Sequence, residues 1–144
     1  MYIIISTMML ICYFIYYNHS NKFIKVAVLD TGIDSKLIRS KVISKNFLHI
    51  SKHKNMHGTN IAKKIENQNK IIIYDAEVLN NNGNGTIEDT IDGIDWAIKN
   101  KVHIINMSYG FTHNYKDLQE KITEARSKGI IIVTANGNDI FGQK

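Results

Sequence analysis

Beyond residue 22 the chain alternates short, uninterrupted apolar runs with segments in which apolar residues recur every three or four positions. Uninterrupted runs are typical of strands buried on both faces, and the three-to-four spacing is typical of helices that cover a sheet. The runs predict strands over residues 23–29, 71–78, 102–107 and 130–135, and the periodic segments predict helices over residues 59–68, 87–100 and 116–128. This order of elements predicts an α/β fold with a parallel sheet.

The first part of the chain has a different pattern, because residues 2–17 contain no charged side chain and the first basic residue is Lys22. We therefore divide the chain into a hydrophobic N-terminal anchor or signal segment, residues 1–22, and a domain of residues 23–144. A cleaved signal needs a basic start and small residues at its cleavage site, whereas residues 16–19 are bulky. We predict an uncleaved membrane anchor through residues 2–17, although a membrane span needs about 20 apolar residues. The predicted location is membrane-anchored or secreted, and a buried helix or a misassigned start codon is the alternative.

Composition narrows the classes of function. A chain of 144 residues with 44% hydrophobic and 22% charged residues is typical of one globular domain. The net charge of +5 comes mainly from lysines that are scattered along the sequence, so the sequence does not predict nucleic-acid binding. Cys12 is the single cysteine, which excludes an intramolecular disulfide.

Polar side chains follow the predicted strands at the points where the strands end. Asp30 follows the first strand, residues 108–110 follow the third, and residues 136–138 follow the fourth, while His57 begins a helix. In open parallel sheets, ligands and catalytic groups collect at the carboxyl ends of the strands. Each residue taken alone is also typical of an ordinary turn or helix cap. Their placement on one sheet edge predicts a functional site there.

Three motifs occur in a fixed order: Val-Leu-Asp-Thr-Gly ending at Gly32, His-Gly-Thr beginning at His57, and Asn-Gly-Asn ending at Asn138. Together with residues 78–98 and 106–110, they resemble the subtilisin-like serine proteases over nearly all of residues 23–140. The resemblance implies a three-layer α/β fold, a parallel sheet with helices on both faces, truncated at the C-terminal end. It also implies hydrolysis of peptide bonds through an Asp/His/Ser triad.

The resemblance assigns roles to individual residues. His57 would be the general base, Asp30 would orient it, and Asn138 would donate a hydrogen bond to the oxyanion. Two backbone segments would hold an extended peptide between them, as in β-strand addition. Their residues are Gly83, Asn84 and Gly85 on one wall and Ser108 and Gly110 on the other.

The serine of the triad is not visible in the sequence. No Gly-Thr-Ser tripeptide occurs, and none of the serines stands at a turn into a helix as the family nucleophile does. We therefore expect these residues alone to be inactive or nearly so. The expected partners are a peptide or protein substrate and a second fragment that carries the serine.

Two other functions remain open at this point. The first is a non-catalytic, membrane-anchored pseudoprotease that binds peptides between the same two walls. The second is an aspartic protease, because apolar-apolar-Asp-Thr-Gly is also a motif of that class; it would need an all-β chain. No cofactor is predicted. Calcium sites are common in the subtilisin-like family, but no cluster of Asp and Asn here identifies one, so no metal ligand is assigned.

Overall fold

The computed structural model describes residues 22–48, 55–66, 70–111 and 113–135. These residues form a five-stranded sheet in the order β2-β3-β1-β4-β5, and all of its strand pairs are parallel. The strands are β1 (Ile24–Asp30), β2 (Lys41–Asn46), β3 (Ile71–Glu77), β4 (Ile104–Met107) and β5 (Ile131–Thr134). The helices are α1 (His57–Ile65), α2 (Ile87–Lys99) and α3 (Lys116–Ser127), with a short 3-10 helix over Ser35–Leu37.

Every predicted strand and helix is present within a few residues of its expected bounds, so the α/β prediction is confirmed. Strand β2 was not predicted. It lies at one edge of the sheet, and its residues are exposed or only partly buried, so it lacks the apolar run that marks the other strands. The parallel sheet with its helices is incompatible with the all-β chain that an aspartic protease requires.

Helices cover both faces of the sheet, which gives three layers. The helix α1 packs on one face, and α2 and α3 pack on the other. The first core consists of residues on β1, β3 and α1 and in the intervening loop: Val26, Val28, Ile33, Ile38, Ala62, Ile71 and Ile73. The second core is larger and includes Leu29, Ile94, Ile105, Met107 and Ile122, each fully buried. The buried residues of α3 are Leu118, Ile122 and Ala125, which recur every three or four positions as the sequence pattern predicts.

Strand β1 lies in the middle of the sheet, between β3 and β4. The chain passes from β1 to the edge strand β2, returns to form β3 between β2 and β1, and then crosses to the other side of β1 to form β4 and β5. The carboxyl ends of β1 and β4 therefore flank the point at which the connections change direction, where parallel sheets bind their ligands. Asp30 is the last residue of β1, and Met107 is the last of β4.

The outer edges of the sheet differ in character. Strand β5 exposes apolar side chains, with Ile131 at 60% and Val133 at 45% of their accessible surface.

None of the helices in the described ranges has the length and apolar character that a membrane span requires. The predicted anchor, residues 2–17, lies outside those ranges and stays a prediction.

Candidate active site

The imidazole of His57 and the carboxylate of Asp30 are in direct contact. Nδ1 of His57 lies 2.9 Å from Oδ1 and 2.9 Å from Oδ2 of Asp30. His57 is the first residue of α1, and Asp30 ends the central strand, so the pair joins the helical layer to the middle of the sheet. The two motifs that the sequence singled out are thus brought together.

Asp30 is held on several sides. Its side chain is fully buried, and Oδ1 also accepts a hydrogen bond from the backbone N–H of Thr31 at 2.7 Å. Its main-chain oxygen accepts hydrogen bonds from the N–H groups of Val78 and Leu79, just beyond β3. A buried carboxylate is costly unless it is hydrogen-bonded, and the bonds from His57 and Thr31 satisfy it.

The close approach of α1 to the end of β1 depends on Gly58. A Cβ atom at this position would lie 2.5 Å from the backbone oxygen of Gly32 and 3.2 Å from Cβ of Asp30. Reciprocal hydrogen bonds fix the contact: Gly58 N–H donates to Oγ1 of Thr31 at 3.2 Å, and Asp34 N–H donates to Oγ1 of Thr59 at 2.9 Å. The helix can therefore present His57 directly to Asp30.

The arrangement defines which ring nitrogen carries the proton. A carboxylate can only accept hydrogen bonds, so the contact with Asp30 requires the proton on Nδ1 of His57. The lone pair is then on Nε2. The side chain of His57 is 51% exposed while that of Asp30 is buried, so this ring is open to a reactant. A histidine oriented in this way is suited to general-base chemistry.

A groove of about 230 Å³ opens beside the ends of β3 and β4. One wall is the loop that leads into α2, and the other follows β4. The lining residues are Leu79, Gly83, Asn84, Gly85, Ile87, Thr90, Tyr109, Gly110, Phe111 and Tyr115. Gly85 allows the loop to lie against the strand, because a Cβ there would be 2.1 Å from the backbone oxygen of Val78.

Tyr109 forms part of the second wall. Its hydroxyl lies 3.2 Å from Oγ1 of Thr90, and its ring packs edge-on against Phe111 with 5.4 Å between ring centroids. Burial raises the pKa of Tyr109 well above its ordinary value; the hydrogen bond with Thr90 opposes this shift, and the charge of Asp30 adds to it. The Tyr109 hydroxyl therefore stays protonated at neutral pH.

The structure places most of the predicted site residues. Asp30 and His57 are paired, and Gly83, Asn84, Gly85 and Gly110 line one groove. Ser108 does not belong to the described lining; its Oγ accepts a hydrogen bond from Nδ2 of Asn106 at 2.8 Å. Asn138 lies outside the described residues, so its role stays a prediction. Within the described ranges, no group of three or more His, Cys, Asp or Glu side chains could hold a metal ion.

Sequence reasoning missed several residues of the site. Thr31 and Gly58 lie inside the motifs, but their importance depends on a helix-to-strand distance that the sequence does not reveal. Tyr109 lies between Ser108 and Gly110 in the predicted wall, but its contact with Thr90 depends on how the two walls meet. Asn55 accepts a hydrogen bond from His57 N–H at 2.8 Å, and no motif points to it.

Comparison with known proteins identifies a family that matches the whole domain. The model of the Subtilase family matches residues 21–144. Minor extracellular protease Epr of Bacillus subtilis (strain 168) is 33% identical over 86% of this chain and 21% of its own length. Thermostable alkaline protease of Halalkalibacterium halodurans is 38% identical over 79% of this chain and 35% of its own length. Subtilisin DY of Bacillus licheniformis is 31% identical over 80% of this chain and 47% of its own length.

The chain thus spans about a fifth to a half of the length of these curated relatives. The matched part includes the central strand with Asp30, the helix with His57 and both walls of the groove. Family match, sheet order and paired side chains agree, and the chain belongs to the subtilase family of serine proteases.

Proposed function

We propose that this chain supplies the base, its orienting carboxylate and the peptide groove of a subtilisin-type serine endopeptidase. In this proposal His57 takes a proton from the serine nucleophile and returns it to the leaving amine. Asp30 keeps the proton of the neutral ring on Nδ1 and stabilises the imidazolium. Asn138 donates a hydrogen bond to the oxyanion.

The observation that carries the proposal is the contact between His57 Nδ1 and the buried carboxylate of Asp30, at 2.9 Å to both oxygens. A base needs a free Nε2, a fixed ring and access to the reactant, and this contact leaves the ring half-exposed. The groove supports the peptide part of the proposal, because it lies between two backbone segments that can add hydrogen bonds to an extended substrate.

We also propose that the nucleophilic serine is on polypeptide that is not among residues 1–144. Within the described residues, the His57 ring forms its hydrogen bonds with Asp30, and Ser108 Oγ accepts a hydrogen bond from Asn106. Strand β5 offers a surface for such a polypeptide, since Ile131 and Val133 are exposed at an edge of the sheet. An enzyme that lacks one triad residue accelerates hydrolysis only about 10³- to 10⁴-fold over water. Residues 1–144 alone should therefore show almost no turnover.

The test is complementation. The full chain is mixed with the serine-bearing part of a curated relative, and hydrolysis of a fluorogenic peptide is measured together with labelling by a serine-directed fluorophosphonate. We expect turnover and labelling only in the mixture. Both should be lost when the chain carries His57→Ala, while the matched exposed variant Asn60→Ala on the same helix should retain them.

Absence of turnover from a soluble, folded mixture would contradict the endopeptidase proposal. The second candidate, a peptide-binding pseudoprotease, is favoured by the groove being formed within the described residues. It predicts saturable peptide binding by the chain, measured by isothermal titration with an extended peptide, without turnover from any soluble, folded mixture. The complementation assay separates the two functions, because both proposals include the groove.

For location we propose secretion or membrane anchoring. Two observations support the proposal: residues 2–17 carry no charged side chain, and the Bacillus subtilis relative is named an extracellular protease. Fractionation of expressing cells tests it. Recovery of the chain in the soluble cytoplasm alone would overturn it.

A further inference from the structure

Asn55 connects the helix of the proposed base to the loop of the proposed peptide groove. Its Oδ1 accepts a hydrogen bond from the backbone N–H of His57 at 2.8 Å. Its Nδ2 donates to the main-chain oxygen of Asn81 at 2.9 Å, and its own backbone N–H donates to Oδ1 of Asn81 at 3.3 Å. One amide side chain thus bonds to both parts of the site.

The bond to His57 replaces a missing helix cap. Met56 occupies the N-cap position of α1, but its side chain makes no capping hydrogen bond. The first N–H groups of a helix have no partner within the helix and need one outside it. Because Asn55 supplies that partner to the N–H of His57 itself, the start of α1 depends on the position of Asn55.

The loop on the other side of Asn55 is a compact unit. Asn80 N–H donates to the main-chain oxygen of Asn84 at 2.8 Å, and Gly83 N–H donates to that of Asn80 at 2.9 Å. Oδ1 of Asn80 accepts two further bonds, from the N–H groups of Asn82 and Asn84. A displacement of Gly83 or Asn84 at the groove is therefore transmitted to Asn81, which lies inside the same set of bonds.

We infer that Asn55 is a positioning residue that couples the groove loop, residues 80–84, to His57. A peptide that presses on the loop changes the position of Asn81, and Asn55 passes this change to the first residue of α1. The inference rests on the proposed function only in naming a peptide as the occupant of the groove, because the hydrogen bonds are present in the chain without a ligand. In this view the groove affects the position of His57 in addition to binding a peptide.

The test perturbs the loop by a substitution and observes His57 by NMR in the full chain. Gly83 has φ of +78°, and a Cβ there meets no atom within 4 Å, so Gly83→Ala strains the loop backbone without a clash elsewhere. We expect Gly83→Ala to shift the amide and ring signals of His57. Asn82→Ala is the matched control, because the exposed Asn82 side chain lies on the same loop, and it should leave these signals unchanged.

Asn55→Asp separates the two side-chain bonds of Asn55. The carboxylate keeps an oxygen for His57 N–H but has no side-chain N–H for the main-chain oxygen of Asn81, while the weaker bond from the backbone N–H of residue 55 to Asn81 Oδ1 stays possible. In this background the His57 amide should remain protected from hydrogen exchange, and the additional shift caused by Gly83→Ala should fall at least threefold. Asn55→Ala should lose both the protection and the coupling.

An undiminished response of His57 to Gly83→Ala in the Asn55→Asp background would overturn the inference, as would no response in the wild-type background. Addition of an extended peptide to the wild-type chain is a separate arm. If the peptide does not bind while the Gly83→Ala response depends on Asn55, the proposed groove function fails and the coupling stands. The two conclusions are thus distinguishable.

Discussion

The paired side chains and the groove loop are built in opposite ways. The carboxylate of Asp30 is buried, its contact with His57 is partly buried, and Gly58 leaves no room for a Cβ, whereas the loop over residues 80–84 is held by exposed hydrogen bonds from the backbone to Oδ1 of Asn80. Buried close packing is sensitive to a single methyl group, but an exposed hydrogen bond competes with water. The chain therefore fixes the geometry of Asp30 and His57 more rigidly than that of the groove loop.

The largest expected effect comes from Asp30→Asn. The amide group donates a hydrogen bond to Nδ1 of His57, so the ring proton moves to Nε2 and the lone pair no longer faces the reactant. ¹⁵N NMR of the imidazole should show Nδ1–H in the wild type and Nε2–H in the variant. In the complemented mixture, turnover should fall by about 10⁴ because the wrong tautomer is present.

A control for this change is Asp34→Asn, four residues along the chain, which should leave the tautomer unchanged. Asp34 caps the 3-10 helix by accepting a hydrogen bond from Lys36 N–H, and none of its hydrogen bonds among the described residues reaches the His57 ring. A wild-type ring with its proton on Nε2 would contradict the tautomer assignment.

Gly58→Ala tests the packing side of the comparison. The new Cβ would meet the backbone oxygen of Gly32 at 2.5 Å, so α1 must move away from β1. We expect the free energy of unfolding to fall by about 1–3 kcal/mol, the usual range for overpacking. Urea denaturation measures this, with exposed Asn60→Ala on the same helix as the control. Equal stabilities of the two variants would show that the contact is looser than described.

The raised pKa of Tyr109 predicts that the folded chain loses stability at high pH. Its pKa in the folded chain is raised above the ordinary value of 10.0, so the protonated phenol contributes stability below pH 10. That contribution is lost as the pH rises from 10 toward the folded value, by about 1.4 kcal/mol per pH unit. Denaturation at pH 8 and at increasing pH above 10 should show a smaller loss for Tyr109→Phe than for the wild type. Parallel curves would refute the assignment.

The smallest effect is expected for Asn80→Ala, which removes the acceptor of two exposed loop hydrogen bonds. We expect the stability to fall by about 0.5–1.5 kcal/mol and the amides of Asn82 and Asn84 to exchange faster. The imidazole tautomer should not change, because Asp30 sets it. A change of tautomer would show that the two regions are not built separately.

The sequence predicted the parts of this site that depend on chain order and residue type. Asp30 and His57 were identified because each stands at the boundary of a strongly patterned element, and the groove walls followed from the family motif. Strand β2 escaped because an exposed edge does not need an apolar run. Asn55 escaped for another reason, as did the contact of Tyr109 with Thr90: both depend on which segments meet in space, and neither burial pattern nor spacing carries that information.

The position of β1 in the sheet has a consequence for folding. This strand is the first of the sheet to be made, yet its neighbours are β3, where Ile24 faces Ile71, and β4, where Val26 faces Ile104. Contacts so distant in sequence slow folding, because a long loop must close before the pairing stabilises it. During synthesis this buried, apolar strand therefore waits for partners from two later stretches of chain. Until they arrive, it is exposed to aggregation.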